Sequence, residues 1–127
     1  MLKLKRAYEA PARDDSHRFL VERLWPRGVK KSTLHLDGWL KNVAPSPELR
    51  KWFSHDPQKW VEFKKRYRSE LNQHPEACDP ILNAARQGTV TLVYAARDPE
   101  RNSAAVLCDY LKKQLPAKHS KSRKSAA

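Results

Sequence analysis

The order of periodicities along the chain predicts an α/β fold: a single small domain with a short, mainly parallel sheet and helices packed on its faces. Three observations carry this. Two strand-like runs open the chain, a block of helical patterns follows, and one β-branched run precedes a last helix. The helical block between the second and third strands supplies the length that a right-handed parallel crossover needs. The 127 residues, 39% of them hydrophobic, suffice for one core and not for two.

The elements follow in order. Leu2-Lys-Leu-Lys-Arg-Ala-Tyr8 alternates apolar and polar side chains, as a half-buried strand does. Residues 9–16, with Pro11 and Asp14-Asp15, read as a loop, and Arg18 to Leu24 as a second strand ending in the turn Trp25-Pro26-Arg27-Gly28. Asp37 is placed to N-cap a short helix through Trp39, Leu40 and Val43, which Pro45 ends. Ser46-Pro47 opens a helix burying Leu49, Trp52 and Phe53. Asp56-Pro57 repeats that signal and starts the longest helix, with Trp60, Phe63, Lys64, Tyr67 and Leu71 on one face. Pro75 opens another, with Ala77, Cys78, Ile81, Leu82 and Ala85 inward and Gly88 as its C′ residue. Thr89 to Ala96 is the clearest strand, apolar enough to be central. Residues 97–102 form a polar loop, and a final helix from about Ser103 to Leu115 turns Val106, Leu107, Tyr110 and Leu111 to the core.

Composition bounds the function classes. No apolar run approaches the ~18 residues of a membrane span, and the start lacks a signal-type hydrophobic block, so a soluble cytoplasmic protein with no membrane partner is expected. Cys78 and Cys108 lack metal-ligand spacing and read as buried, inert thiols. The five histidines are scattered without pairing, so neither a metal nor a cofactor is expected. Nucleophile-elbow, dinucleotide, P-loop and zincin signatures are missing from the sequence. The net charge is +12, of which four cations sit in a tail, residues 116–127, that has no apolar periodicity and is expected to be disordered; the body, residues 1–115, keeps about +8. Non-specific attraction to nucleic acid at low salt follows from this charge.

The candidate site lies where strands end. In an open parallel sheet the ligand crevice is beyond the carboxyl ends of the strands. Those ends carry Arg23, Trp25 and Arg27 after the second strand, and Tyr94, Arg97 and Asp98 after the third, with Asn102 and Ser103 opening the last helix. Arginine forks pair with carboxylate or phosphate, and free N–H groups at a helix start attract anions. The bland alternative pairs Arg23 and Arg97 with Glu22, Asp98 or Glu100 and makes Trp25 a core plug. Trp39, Trp52 and Trp60 sit at core spacing on helix faces. Asp98 and His55 are the acid–base candidates, though Asp56 beside His55 also fits a helix cap. Tyr94 fits either the rim or the core. The reading is a small carboxylate- or phosphate-binding protein, alone or as an enzyme on that ligand; the alternative is a nucleic-acid-associated protein gripping phosphate backbones through its surface and tail. Oligomeric state is open.

Val21-Glu-Arg-Leu-Trp-Pro-Arg-Gly28, Leu36-Asp-Gly-Trp-Leu40, Ala44 to Phe53, His55-Asp-Pro57 and Thr91 to Asp98 together resemble the DUF488 family, and most nearly its short YeaO-like bacterial branch. The resemblance spans residues 1 to about 115 and implies a small cytoplasmic α/β protein with no assigned activity. Longer relatives carry cysteine and Cys-His-Arg residues around the last strand and helix. This chain has Tyr94, Asn102, Ser103 and Ala104 at the matching places. The resemblance therefore lends no thiol chemistry here, while the Arg23 and Arg27 end of the motif is retained.

Overall fold

A computed structural model describes residues 1–115; the expected basic tail, residues 116–127, lies outside the described residues. Four strands, β1 (Leu2–Arg6), β2 (His17–Leu20), β3 (Gly38–Trp39) and β4 (Val90–Tyr94), form one sheet in the order β1-β4-β2-β3. Every pairing is parallel: Leu2 faces Val90, His17 faces Val90 from the other side, and Phe19 faces Gly38. β4 is central and its five residues are all buried, as its run of Val90, Leu92 and Val93 demands.

The helices are α1 (Lys31–Leu34), α2 (Pro47–Phe53), α3 (Trp60–Gln73), α4 (Asp79–Gln87) and α5 (Ser103–Lys112). Leu49 of α2, Phe63, Tyr67 and Leu71 of α3, Ile81 and Leu82 of α4 and Val106, Leu107 and Leu111 of α5 form one core with Leu2, Phe19, Val90 and Leu92. The alternate strand residues point the other way, so Leu20 and Val93 pack with Ala7 under Leu34 of α1, with Trp25 and Trp39 at the margin. Four helices thus cover one face, and loops with a single helical turn cover the other. No helix among the described residues is long and apolar enough to cross a membrane.

Caps explain the helix starts. Ser46 accepts from the Leu49 N–H at 3.1 Å with Pro47 in the first turn, and Glu70 receives both the Ser46 N–H and its hydroxyl. Asp56 accepts from Gln58 N–H at 3.0 Å, opening a 3-10 turn at Pro57 that runs into α3. Between α2 and α3, Ser54 and His55 are both left-handed, at φ 47° and 58°.

Four expectations change. The second strand, expected through Leu24, ends at Leu20. Asp37 caps no helix: its carboxylate accepts the Arg18 N–H at 2.7 Å, which seats Gly38–Trp39 as an edge strand, and only a 3-10 turn, Lys41–Val43, follows. Trp39 accordingly stands on a strand, its indole N–H donating to the Glu22 carbonyl at 2.6 Å. Gly88 ends α4 in extended backbone and not in the left-handed form of a C′ glycine. Gly28 is left-handed, at φ 78°.

The loop face hides a charge cluster. Asp15, fully buried, takes Lys5 Nζ at 3.0 Å, Arg18 Nη1 at 2.6 Å and the Ala12 N–H at 2.9 Å. Burial raises its carboxyl, but these donors override it and hold the group down at about 2. Thr91 of β4 ties its hydroxyl to the Asp15 carbonyl. Arg18 donates through Nε to the Leu34 carbonyl, and its buried Nη2 has no partner.

Candidate functional site

Because β2 and β4 run parallel side by side, the segments leaving them emerge at the same end of the molecule. A cleft of about 530 Å³ opens there. Its floor is the Ala95–Ala96 segment leaving β4, and its walls include α2, the Phe53–His55 corner and the start of α5. Pro47, Arg50 and Lys51, at i, i+3 and i+4, share the α2 face that lines it, while Leu49 and Phe53 serve the core. Phe53 lies on Phe63 with ring centroids 4.4 Å apart, giving one wall an aromatic surface. A neighbouring hollow, lined by His55, Arg97, Asp98 and Arg101, shares Phe53, Ala95 and Ala96 with it.

The electrostatics are mostly cationic. Arg50 and Lys51 are exposed and make no ion pair among the described residues, and Arg101 reaches Asp98 only at 3.7 Å. Asp98 accepts the Glu100 and Arg101 N–H groups, and those bonds, with the nearby Arg101 charge, hold its carboxyl below the usual range. Among the described residues one carboxylate faces the cleft: Glu22, which takes the Ala95 N–H on Oε2 at 3.0 Å and whose Oε1 meets no donor among them. Burial pushes Glu22 up, against the Ala95 bond and the charge of Arg50.

The residues singled out in the sequence divide among three places. Arg97 and Asp98 line the hollow beside the cleft together with His55. His55 is exposed, and Asp56 beside it spends its carboxylate on the α3 cap. Asn102 and Ser103 line the cleft; Asn102 caps α5, accepting from Ala105 N–H at 2.8 Å and donating to the Asp98 carbonyl at 2.8 Å. Arg27 and Arg97 meet in a smaller notch on the other side of Ala95, beside Arg6 and Tyr8.

Arg23, Trp25 and Tyr94 are not brought to that rim. Arg23 donates to the Pro45 and Ala44 carbonyls and lines a separate hollow with Glu48, Glu70 and His74. Trp25 donates its N–H to the Val29 carbonyl and packs edge-on against Trp39. Tyr94 is buried in the helical core, and burial raises its hydroxyl above the ordinary range. Glu22, Arg50, Lys51 and Arg101 were missed. Glu22 and Arg50 lie inside the quoted motif stretches and Arg101 directly before the α5 cap, so position was the available signal. Both cysteines are buried; burial lifts Cys78 to about 11 and raises Cys108.

A four-stranded parallel sheet with a cationic cleft beyond its carboxyl edge defines a small α/β protein of the open-sheet kind. The chain belongs to the DUF488 family: residues 1–127 match the family described as the inactive DUF488-N3 subclade. It is 40% identical over 111 residues to the uncharacterized protein YeaO of Escherichia coli (strain K12), covering 87% of this chain and 96% of that one. It is 38% identical over 110 residues to the uncharacterized protein Rv3073c of Mycobacterium tuberculosis (strain ATCC 25618 / H37Rv), covering 87% and 92%. No solved structure matches.

Proposed function

We propose that this chain is a binding domain for a small anion, a carboxylate or a phosphate, held in the cleft at the carboxyl ends of β2 and β4 without a covalent step. The observation that carries the reading is the cleft's lining: Arg50, Lys51 and Arg101 converge on one concavity with a single facing carboxylate, Glu22. The first turn of α5, which opens at the same place, adds unpaired N–H groups. Against catalysis stand the buried cysteines, a Ser103 hydroxyl without a hydrogen-bonded base among the described residues, and the description of the family as inactive.

The test is a thermal-shift screen of phosphates and carboxylates on wild type and on Arg50→Ala/Arg101→Ala. Ligands that raise the wild-type Tm and leave the double variant unmoved support the reading. A wild type stabilised by no anion, or a variant stabilised equally, refutes it.

A second reading, contact with nucleic-acid phosphates, is supported by α3. Lys59 Nζ, just before α3, lies 5.1 Å from the centroid of the Trp52 ring of α2, and Arg66 Cζ, also paired with Glu62, lies 4.1 Å from it; Lys64, Lys65 and Arg68 share α3 with Arg66.

A further inference from the structure

We infer that the ligand carries two separated anionic groups, a sugar bisphosphate being the chemical type, and that Arg6, Arg27 and Arg97 form the second anion subsite. This rests on the cleft being the first. The notch holding the three arginines measures about 310 Å³ and is lined by Arg6, Tyr8, Arg27, Ala95 and Arg97. Arg6 is anchored within it, while Arg27 and Arg97 are exposed side chains carried on backbone that the notch holds together. Arg6 donates through Nε to the Ala96 carbonyl at 2.9 Å, and its guanidinium stacks on the Tyr8 ring at 4.9 Å. The Tyr8 hydroxyl donates to the Arg27 carbonyl at 3.1 Å, which ties the turn after β2 to the segment after β1.

None of these three guanidinium groups has a carboxylate partner among the described residues. Glu9, close to Arg6 in sequence, spends Oε2 on the main-chain N–H of Arg6, and Asp98, next to Arg97, accepts the Glu100 and Arg101 N–H groups and faces Arg101. Three unneutralised cations brought together by three different chain segments repel one another, and an anion between them removes that repulsion.

The notch and the cleft are joined. Ala95 lines both, and also the hollow between them; Arg97 lines that hollow and the notch. The surface shared by cleft and notch is therefore the small side chain of Ala95, with Ala96 beside it on the cleft side. A monoanion can use one subsite only. A molecule with phosphates at both ends reaches over this surface and engages Arg50 and Arg101 on one side, Arg27 and Arg97 on the other. The shared surface is apolar and Glu22 Oε1 beside it is free to accept, which suits a polyhydroxylated body with donor groups.

Calorimetric titrations of fructose 6-phosphate and fructose 1,6-bisphosphate test this on wild type, Arg27→Ala/Arg97→Ala and Arg50→Ala/Arg101→Ala. The bisphosphate is expected to bind wild type at least about tenfold more tightly, the gain that linking two weak contacts supplies. The Arg27/Arg97 variant should lose that advantage while its monophosphate affinity stays within about twofold. Equal affinity of the two sugars for wild type, or an advantage that survives in the Arg27/Arg97 variant, overturns the second subsite and leaves the cleft standing. No binding of either sugar to wild type overturns both the subsite and its use with the cleft for phosphates. Circular dichroism melts of both variants separate lost binding from lost folding, and Arg27→Lys/Arg97→Lys, which keeps the charge, should recover part of the advantage.

Discussion

Asp15 sits in the interior as an ion because three donors make it one. Its carboxyl is depressed from 3.8 to about 2, so the stabilisation it provides is complete above the higher value and is lost as the pH falls through the lower. Urea denaturation of wild type should therefore show falling stability across that window, a slope that Asp15→Asn flattens. At neutral pH the same variant leaves Lys5 and Arg18 facing each other without an anion and should cost about 3 kcal/mol. Glu22 behaves oppositely, since burial lifts its titration. A proton there removes the one negative charge facing the cleft. Sulfate, which does not itself titrate near neutrality, should bind more tightly as the pH drops through the Glu22 transition. The expected gain is about fivefold, the factor that ~1 kcal/mol of solvent-screened charge interaction produces. Glu22→Gln should abolish the dependence when both are measured by calorimetry in a His55→Gln background. Equal pH profiles would disprove the role of Glu22.

Between α2 and α3 two consecutive residues without glycine's freedom, Ser54 and His55, adopt left-handed backbone beside the cleft. Each such residue costs on the order of 1 kcal/mol, part of which glycine returns. Ser54→Gly should raise stability by about 0.5 kcal/mol in urea melts; a loss would show the corner to be unstrained. This corner also shows what the sequence could and could not reveal. Ser46-Pro47 and Asp56-Pro57 announce two helix starts because capping is a local, short-range event. Which face of α2 then turns to solvent depends on where the sheet lies, so Arg50 and Lys51 were unreadable as cleft residues. Gly38–Trp39 was misread for a similar reason: two residues carry no periodicity, and Asp37 looks the same whether it caps a helix or receives the Arg18 N–H. The β4 run was legible because a strand buried on both faces needs no partner to be recognised.

At the scale of the molecule, the segments after β2 and β4 leave one end of the sheet, as the sequence reading expects, while the grouping of residues along that end differs. Parallel pairing of β2 and β4 brings Arg27 and Arg97 to one notch, as strand-end reasoning expects, yet Arg23 turns to the Pro45 carbonyl and a separate hollow. The cations behind the +12 charge lie in the rim, in α3 and in residues 116–127, so a test of the second reading can separate them. Removing residues 116–127 should weaken nucleic-acid binding strongly in low salt. Attraction that survives both this truncation and about 0.2 M salt would assign the contact to residues 1–115, and its loss in Lys65→Ala/Arg68→Ala would place it on α3. Filter binding across a salt series distinguishes the two. If the truncated chain loses all affinity, the second reading fails.

The strand order has a consequence for synthesis. β1 has only β4 as its sheet neighbour, and β4 lies some ninety residues later. β2 likewise pairs with β4, so its only earlier companion is the two-residue β3. Until β4 emerges, the nascent polypeptide has helices with apolar faces and only the short β2–β3 pairing to lay them on, so the domain acquires its structure late.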